Sequence, residues 1–457
     1  MDWGTFLDGG AVVVREIGLF AAAGFLVLGL GDLLVDAIWI GLKLRRLFGR
    51  ESRPDFALAT DADTSGLAVF VPAWHEDVVI GPMLRHALER WGAGEYRIYV
   101  GCYPNDPATI AAVRAVGDPR VRLVVGGTHG PTTKADNLNR MWRAMLADEV
   151  ARGREFDGVV LHDAEDVVHS AELRLFASLL PHNDLVQLPV VPLIDRKHPW
   201  VSGHYADEFA ESHSKELVVR QVLGAALPLA GVGCAISRAA LQRLADVQGA
   251  PFDADSLTED YEIGLKLHAL GRRAAFVRLA ASQGGAVIAS RGHFPSTIAQ
   301  AVRQKSRWIA GISLTGWDRL GWTGGWAERW MRLRDRQAPL AALLLCIAYL
   351  VLLTGAPLAG LATLTGHPVR LLTPTLAWLS LAATLVLLWR LAMRFAFATR
   401  VYGWRQGLLA VPRIVTSNAI AMLAAREAVG RYLEARRTGA ARWEKTAHIF
   451  PVHVPAE

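Results

Sequence analysis

Cysteine is scarce in this chain, which has three in 457 residues. Cys102, Cys234 and Cys346 lie far apart in the sequence. That spacing excludes a disulfide framework and the paired cysteines of a structural zinc site. We therefore expect the water-exposed part of the chain to lie in a reducing compartment.

The chain also lacks internal repeats, low-complexity tracts and a strong excess of charge. Its net charge of +6 is modest, so we expect no nucleic-acid partner. The mean hydropathy is +0.24, whereas 20% of the residues are charged. A soluble enzyme would be less apolar and a fully embedded protein less charged. These values indicate a membrane protein with a sizeable aqueous domain.

The first apolar stretch, residues 17–44, is long enough to cross a bilayer. It lacks the small-residue cleavage site of a signal peptide, so we expect it to remain as a membrane helix. Basic residues follow at once, which places residues 1–16 outside and the linker 45–66 on the cytoplasmic side. They are Lys43, Arg45, Arg46, Arg50 and Arg53.

Three further apolar segments lie near the end of the chain. We expect 338–364 and 371–391 to span the membrane, because arginines flank them on the same side. The third segment, within 402–457, has basic clusters on both sides and contains Arg413. Spanning would leave one cluster outside, so we expect an interfacial or re-entrant helix before the C-terminal tail.

An unpaired Arg413 in an apolar segment would be costly. Asp32 and Asp36 lie four residues apart in the first apolar stretch and therefore share a helix face. One hypothesis is that Arg413 pairs with one of these acids. The alternative is that Arg413 reaches lipid phosphates while both acids meet water near the headgroups.

Residues 67–330 read as the aqueous domain. Short apolar runs rich in valine alternate with amphipathic helical patterns, which indicates an α/β fold with a doubly wound, mostly parallel sheet. The expected strands include 67–71, 97–101, 121–125, 159–161 and 185–189.

Three acids follow the strand 159–161 directly. Asp163, Glu165 and Asp166 stand where open α/β sheets bind ligands, with no cysteine nearby. Clustered carboxylates of this kind suit Mg²⁺ or Mn²⁺. The plainer interpretation is a helix that begins with acids because they favour the helix dipole.

Two later motifs carry further polar side chains. Thr258, Glu259 and Asp260 precede a helix, and they could simply cap it. Gln304, Arg307 and Trp308 stand three and four residues apart and so share one helix face. A basic amphipathic helix on the membrane surface would have the same pattern.

Taken in order, these motifs resemble the membrane-integrated glycosyltransferase family 2, whose GT-A fold is shared by cellulose, chitin and hyaluronan synthases. The details resemble most closely its phage-adsorption protein B branch, given the runs 162–169 and 443–451. The matching elements are Pro72-Ala73-Trp74-His75-Glu76, Asp106, Lys134-Ala135-Asp136-Asn137-Leu138-Asn139, Asp163-Ala164-Glu165, Thr258-Glu259-Asp260 and Gln304-x-x-Arg307-Trp308.

The resemblance implies an inverting, metal-dependent hexosyl- or N-acetylhexosaminyltransferase of the inner membrane, with a cytoplasmic GT-A domain. It would move a sugar from a nucleotide diphosphate sugar, expected to be a UDP-sugar, to a hydroxyl of a growing polysaccharide or glycolipid. The expected partners are that donor, a polysaccharide or lipid-linked acceptor, membrane lipid and an outer-membrane export protein.

The resemblance also implies a role for each residue. Asp260 would be the base, beside Glu259, and the metal would lie on Asp163, Glu165 and Asp166. Pro72, Ala73, Glu76, Asp106, Lys134 and Asp163 would bind the nucleotide sugar. Gln304, Arg307 and Trp308 would contact the acceptor and the diphosphate.

Two alternatives remain at this point. A non-catalytic scaffold or phage-receptor component with a degenerate transferase domain would explain Glu165 and the single acid Asp106 in the second motif. A transferase that adds one sugar to a lipid carrier would need only three or four membrane segments.

Overall fold

The computed structural model describes residues 3–49, 64, 66–280, 286–438 and 449–451. The helices of the aqueous part are α2 Ile80–Trp91, α3 Pro107–Arg114, α4 Lys134–Arg152, α5 Glu172–Leu179, α6 Val201–Glu211, α7 Leu217–Val222, α8 Arg238–Gln248, α9 Glu259–Ala269, α10 Ile298–Ile309, α11 Gly316–Leu320 and α12 Trp326–Arg336. The strands are β1 Leu67–Pro72, β2 Arg97–Cys102, β3 Val121–Val125, β4 Gly158–Leu161, β5 Leu185–Gln187, β6 Val190–Leu193, β7 Cys234–Ser237, β8 Ala274–Phe276 and β9 Ser290–His293. The apolar helices are α1 Trp3–Leu47, α13 Ala338–Leu364, α14 Pro374–Tyr402, α15 Trp404–Ala410 and α16 Ile414–Thr438.

The main sheet has the strand order β3-β2-β1-β4-β7-β5-β8. Strands β1 to β4 run parallel, while β7 is antiparallel to both of its neighbours, β4 and β5. The expectation of a mostly parallel sheet is therefore confirmed, with one reversed strand. A second, two-stranded sheet pairs β6 with β9.

The central strands are short and rich in valine because both of their faces are covered by helices. All six residues of β1 and all four of β4 are buried. One core cluster joins Val69, Val71 and Val160 to α2 and α5. The other joins Phe70 and Val159 to α4, α8 and α9.

Three of the described helices, α1, α13 and α14, are long and apolar enough to cross a membrane. Helix α13 matches the predicted 338–364, while α14 begins at Pro374 and runs beyond the predicted end at 391. Helix α1 begins at Trp3, so most of the predicted outer segment is helical. Most of the predicted linker, 45–66, lies outside the described residues.

Helices α15 and α16 follow α14 and are bent by 52° at the break between them. They form either one broken span or a re-entrant pair, so the described helices cross a membrane three or four times by length and composition. The bend lies beside Pro412, which has no N–H to continue the helical hydrogen bonds.

Helix α1 packs directly against the other two long helices. A Cβ atom at Gly24 would lie 2.6 Å from a methyl carbon of Leu344 in α13, so glycine permits this close approach. On the α14 side, the rings of Trp39 and Phe397 meet edge to face at 5.1 Å.

A buried ion cluster joins α1 to the aqueous domain. Asp36 is 1% exposed and accepts a hydrogen bond from the ammonium group of Lys215, which is fully buried. Lys215 also donates to Glu211 at 2.6 Å, and Trp389 of α14 donates to Asp36 at 2.7 Å. Arg390 contacts Glu211 at 2.8 Å. The membrane helices α1 and α14 and the aqueous domain therefore meet at one set of charges.

Lys215 stands in a π-helical turn, Ser212–Glu216, between α6 and α7. The sequence predicts helix over 200–223, and the structure is helical there with this π turn inserted between α6 and α7. Such turns add one residue to a helix and recur at functional sites. Lys215 lies within this turn, and its contacts with Asp36 and Glu211 hold the turn in place.

The hypothesis that Arg413 pairs with Asp32 or Asp36 is wrong. The Nη1 atom of Arg413 lies 3.4 Å from Asp207 of α6, and both side chains are 1% exposed. Arg413 also donates to Gln406 at 2.9 Å. It fits because Gly203 has no side chain there: a Cβ atom would lie 1.9 Å from Nη1. Asp32 instead contacts Arg334 at 2.9 Å.

Replacing Lys215 by methionine should destabilise the protein strongly. Removal of one partner leaves buried carboxylates without their main counter-ion, which costs about 3–5 kcal/mol. Thermal unfolding in detergent measures the effect. The matched control is Arg15→Gln, because Arg15 and Glu16 form an exposed pair on α1, worth roughly 0.5 kcal/mol or less. Equal stability of the two variants would contradict the role of the cluster.

Candidate active site

A cavity of about 380 Å³ lies at the carboxyl ends of β1 and β4. All of the predicted site residues line it except Ala73 and Asp106. Those that do are Pro72, Glu76, Lys134, Asp163, Glu165, Asp166, Glu259, Asp260, Gln304, Arg307 and Trp308. Residues separated by more than 200 positions are thus brought to one side of the sheet.

Lys134 is the central cation of the cavity. It is the first residue of α4, and Thr133 caps the helix by accepting from the N–H of Asp136 at 3.2 Å. The ammonium group of Lys134 donates to Asp163 at 2.5 Å. Burial opposes its charge, but three carboxylates outweigh burial and raise the pKa of Lys134. They belong to Asp163, Glu259 and Asp260.

Asp166 lines the cavity and also contacts His162. The His162 ring lies 2.8 Å from Asp166 on one side and 2.7 Å from Glu172 on the other. The same Asp166 oxygen accepts from the N–H of Asp163 at 3.2 Å. These bonds use one oxygen of Asp166 and give the acidic loop its shape, so Asp166 supports Asp163 and also stays a candidate metal ligand.

Burial opposes the charge on His162, but Glu172 and Asp166 outweigh it and raise the pKa of the imidazole to about 10. His162 is fully buried. A protonated imidazole therefore bridges two carboxylates beneath the loop. No sequence pattern indicates such a bridge, because Glu172 follows ten residues later, on α5.

A divalent cation would be held here mainly by Asp163 and Glu165. In the described part of the chain, no three His, Cys, Asp or Glu side chains converge as a complete metal cage. The donor chemistry nevertheless fits, since Mg²⁺ usually takes one or two carboxylates and completes its shell with substrate phosphates. Asp163 and Glu165 both line the cavity and supply oxygen.

The Thr258-Glu259-Asp260 turn begins α9. Thr258 occupies the capping position, yet its side chain forms no capping hydrogen bond. The interpretation of the motif as a simple helix cap is therefore wrong for the threonine. Burial raises the pKa of Asp260, and burial together with Asp260 raises the pKa of Glu259 to about 7.

Hydrogen bonds to the first turn of α3 hold the Pro72–Glu76 turn in place. His75 has a φ of 53°, which is rare for a residue other than glycine. The N–H of His75 donates to Asp106 at 2.6 Å, and the N–H of Glu76 donates to Thr109 at 2.9 Å. Asp106 is 2% exposed and caps α3. It therefore shapes the turn and does not itself line the cavity.

The side of the cavity next to α10 is aromatic. Trp308 of α10 lies near Phe209 and Phe294, with ring centroids 6.4 and 6.5 Å away. Phe209 stacks on His213, whose Nδ1 accepts from the N–H of Val190 at 3.0 Å. Burial, with a smaller effect of Arg278, lowers the pKa of His213 to about 3, so the ring is neutral. The sequence gives no signal for these partners of Trp308.

Gln304 and Arg307 share the face of α10 that carries Trp308, as their spacing predicts. The side-chain oxygen of Gln304 is buried without a hydrogen-bond partner among the described residues. An unsatisfied buried acceptor beside a cavity is the place where a ligand donor would bind.

Two asparagines of the Lys134–Asn139 motif have a structural part. Asn137 donates to the backbone oxygen of Gly101 at 2.9 Å, which ties α4 to β2. Asn139 donates to the backbone oxygen of Phe252 at 2.6 Å and accepts from its N–H at 3.1 Å. The motif thus supplies the ammonium group of Lys134 to the cavity, and its two asparagines attach α4 to neighbouring parts of the fold.

A doubly wound, mostly parallel sheet, with acids at the end of its fourth strand and a basic helix across the cavity, defines the GT-A class. The family model described as "Glycosyltransferase like family 2" matches residues 65–311. The chain belongs to that family, and the resemblance inferred from its motifs is confirmed.

Curated relatives extend over the whole chain. Bacteriophage adsorption protein B of Escherichia coli strain K12 is 35% identical over 99% of this chain, and 64% of the relative is covered. Bacteriophage N4 adsorption protein B of E. coli O157:H7 matches with the same figures. The chain thus spans less than two thirds of the length of these relatives.

Two solved structures are among those that show a partial likeness to this chain. The mannosyltransferase PcManGT of Pyrobaculum calidifontis, in complex with GDP-Man and Mn²⁺, is 17% identical with a TM-score of 0.49, over 91% of this chain and 99% of its own. Glucosyl-3-phosphoglycerate synthase of Mycobacterium tuberculosis is 18% identical with a TM-score of 0.36, over 60% of this chain and 86% of its own.

The raised pKa of His162 predicts a loss of stability in alkali. Its ordinary pKa is 6.5, so the bridge contributes fully below that pH and less as the pH rises toward about 10. Denaturant unfolding of the wild type should therefore lose a few kcal/mol over this interval. His162→Asn should be less stable at pH 7 and lose less on alkalinisation. The control His198→Asn removes an exposed histidine that contacts Asp195. A wild-type curve parallel to that of His162→Asn would contradict the bridge.

Proposed function

We propose that this protein is an inverting glycosyltransferase that moves a sugar from a nucleotide diphosphate sugar to an acceptor hydroxyl. The observation that carries the proposal is the convergence of Lys134, Asp163, Asp260 and Arg307 on one cavity. Two cations and a carboxylate loop suit a diphosphate, and a further carboxylate suits an acceptor hydroxyl.

Asp260 is the proposed base. A general base works best when its pKa approaches the working pH, and burial raises the pKa of Asp260 in that direction. Its carboxylate would take the acceptor proton while the acceptor oxygen attacks the anomeric carbon. A single base opposite the leaving group gives direct displacement, and hence inversion.

The leaving nucleoside diphosphate gains negative charge as its bond to the sugar breaks. Lys134 and Arg307 would stabilise that charge from fixed positions. When bound at Asp163 and Glu165, Mg²⁺ or Mn²⁺ supplies Lewis-acid stabilisation of the same phosphates. Glu76 and Pro72 line the cavity on the β1 side, where they would contact the nucleoside.

The acceptor would lie along Trp308, Phe209 and Phe294, whose rings offer apolar faces to a sugar. The direct contact of α1 with α13 favours a lipid-linked acceptor, because it fills the space between these two helices. A growing polysaccharide is the second candidate, and then an outer-membrane export protein would be the partner. We expect a UDP-sugar as donor.

The membrane would be the inner membrane, with the catalytic domain in the cytoplasm. The arginine clusters beside α1, α13 and α14 support that orientation. A non-catalytic scaffold, the alternative from another class, is disfavoured by the intact Lys134–Asp163 pair and by Asp260. Purification in detergent, followed by a panel of donors and a measurement of nucleoside diphosphate release, tests the proposal.

Replacing Asp260 by asparagine should lower transfer by roughly 10²–10⁴-fold, the usual contribution of a positioned base. The amide keeps the shape of the side chain but cannot take the proton. Binding of the nucleoside diphosphate should remain near that of the wild type. The control is Asp255→Asn, an exposed residue five positions earlier. Wild-type turnover by Asp260→Asn would refute the assignment.

Replacing Asp163 by alanine should remove the metal dependence of nucleoside diphosphate binding. Calorimetric titration with and without Mg²⁺ or Mn²⁺ measures it, with Asp246→Ala on the exposed side of α8 as the control. We expect a loss of tenfold or more in the metal-containing titration only, about 1.4 kcal/mol. An unchanged difference between the two titrations would place the metal elsewhere.

A further inference from the structure

Asp335 lines the cavity but has no part in the mechanism above. It lies at the end of α12, three residues before the membrane helix α13 begins at Ala338. Asp335 therefore lies both in the wall of the cavity and close to the start of a membrane helix.

Three donors occupy the carboxylate of Asp335. Arg220 of α7 donates to both oxygens, at 2.8 and 2.9 Å, in the forked geometry that fits guanidinium to carboxylate. The hydroxyl of Tyr261 donates to the second oxygen at 2.8 Å. A carboxylate accepts about four bonds, so this one is nearly saturated. Asp335 is therefore unsuited to act as a base or as a metal ligand.

Tyr261 connects Asp335 to the proposed base. It follows Asp260 in the chain, and its N–H donates to the Asp260 carboxylate at 2.8 Å. Tyr261 is 4% exposed, and its ring packs among Ala226 and Leu265. The residue is thus held at its backbone, its ring and its hydroxyl.

The helix that carries Asp335 is itself attached to the aqueous domain. Glu328 of α12 accepts from the N–H of Ala226 at 2.7 Å, and its other oxygen accepts from Arg332 at 2.6 Å. The hydroxyl of Ser313 donates to the backbone oxygen of Asp335 at 3.1 Å. Asp335 therefore has a fixed position from which it can hold Tyr261.

We infer that Asp335 is a positioning residue that acts through Tyr261 to orient the Asp260 carboxylate toward the acceptor. The inference rests on the proposed function, in which Asp260 is the base. It assigns the region next to the membrane a part in the chemical step, in addition to anchoring. Loss of the contact lets the Asp260 carboxylate rotate, while the Lys134–Asp163 pair of the proposed donor site keeps its own hydrogen bond.

Tyr261→Phe is the sharpest test, because it removes only the hydroxyl and keeps the packed ring. We expect kcat to fall roughly 10- to 100-fold, as small misplacements of reacting groups do. The KM for the donor and the affinity for nucleoside diphosphate should stay within about twofold, since the donor site does not change. Asp335→Asn should act in the same direction. Thermal unfolding of every variant is measured in parallel.

Tyr432→Phe is the matched control. The hydroxyl of Tyr432 donates to Asp318 at 2.6 Å, in an exposed contact whose two residues do not line the cavity. It should keep the wild-type kcat. A Tyr261→Phe enzyme with wild-type kcat would overturn the inference. A loss of kcat that only follows the unfolded fraction would overturn it too, because that indicates a structural role.

The two levels of the argument fail in different ways. Full activity of Asp260→Asn would refute the proposed function and this inference together. An inactive Asp260→Asn combined with a fully active Tyr261→Phe would refute the inference alone. A reduced kcat with an unchanged donor KM in Tyr261→Phe supports both.

Discussion

The buried charges around Lys215 are the constraint on which the arrangement of this protein depends. A carboxylate as deeply buried as Asp36 requires a counter-ion, and Lys215 supplies it from the aqueous domain. The pairing fixes the π-helical turn that carries Lys215. Two positions earlier, the same turn places His213 in the wall of the cavity. The membrane helices and the site are therefore held in register by one set of contacts.

Within the cavity, the second requirement is to keep carboxylates close together without repulsion. Lys134 meets it from the start of α4, since its charge faces Asp163, Glu259 and Asp260 at once. Beneath the loop, His162 does the same for Asp166 and Glu172. Under the proposed function, a donor diphosphate would enter a cavity whose charged groups are already in fixed positions. This reduces the reorganisation of the site during the reaction.

The sequence patterns predicted the structural features that depend on residues close together in the chain. Valine-rich runs predicted the strands of the sheet, and the three- and four-residue spacing predicted that Gln304, Arg307 and Trp308 share a face. Partners distant in sequence were not predictable. Asp106 shapes a turn instead of lining the cavity, His162 bonds to Glu172 of α5, and Arg413 faces Asp207. Each of these depends on which helices the fold brings together, and hydrophobic periodicity does not carry that information.

The two sides of the cavity are built by different parts of the chain. The sheet and the start of α4 supply Asp163 and Lys134, whereas the other side comes from elements close to the membrane helices. The two π-helical turns of the described chain, Ser212–Glu216 and Ala310–Thr315, contain His213 and Ile312, which line the cavity on that second side. A π turn changes the direction of all later side chains by one residue, so it re-aims a helix without altering its ends. Under the proposed function, the side that would hold the acceptor is therefore built next to the membrane helices, while the side that would hold the diphosphate is built on the strands of the core.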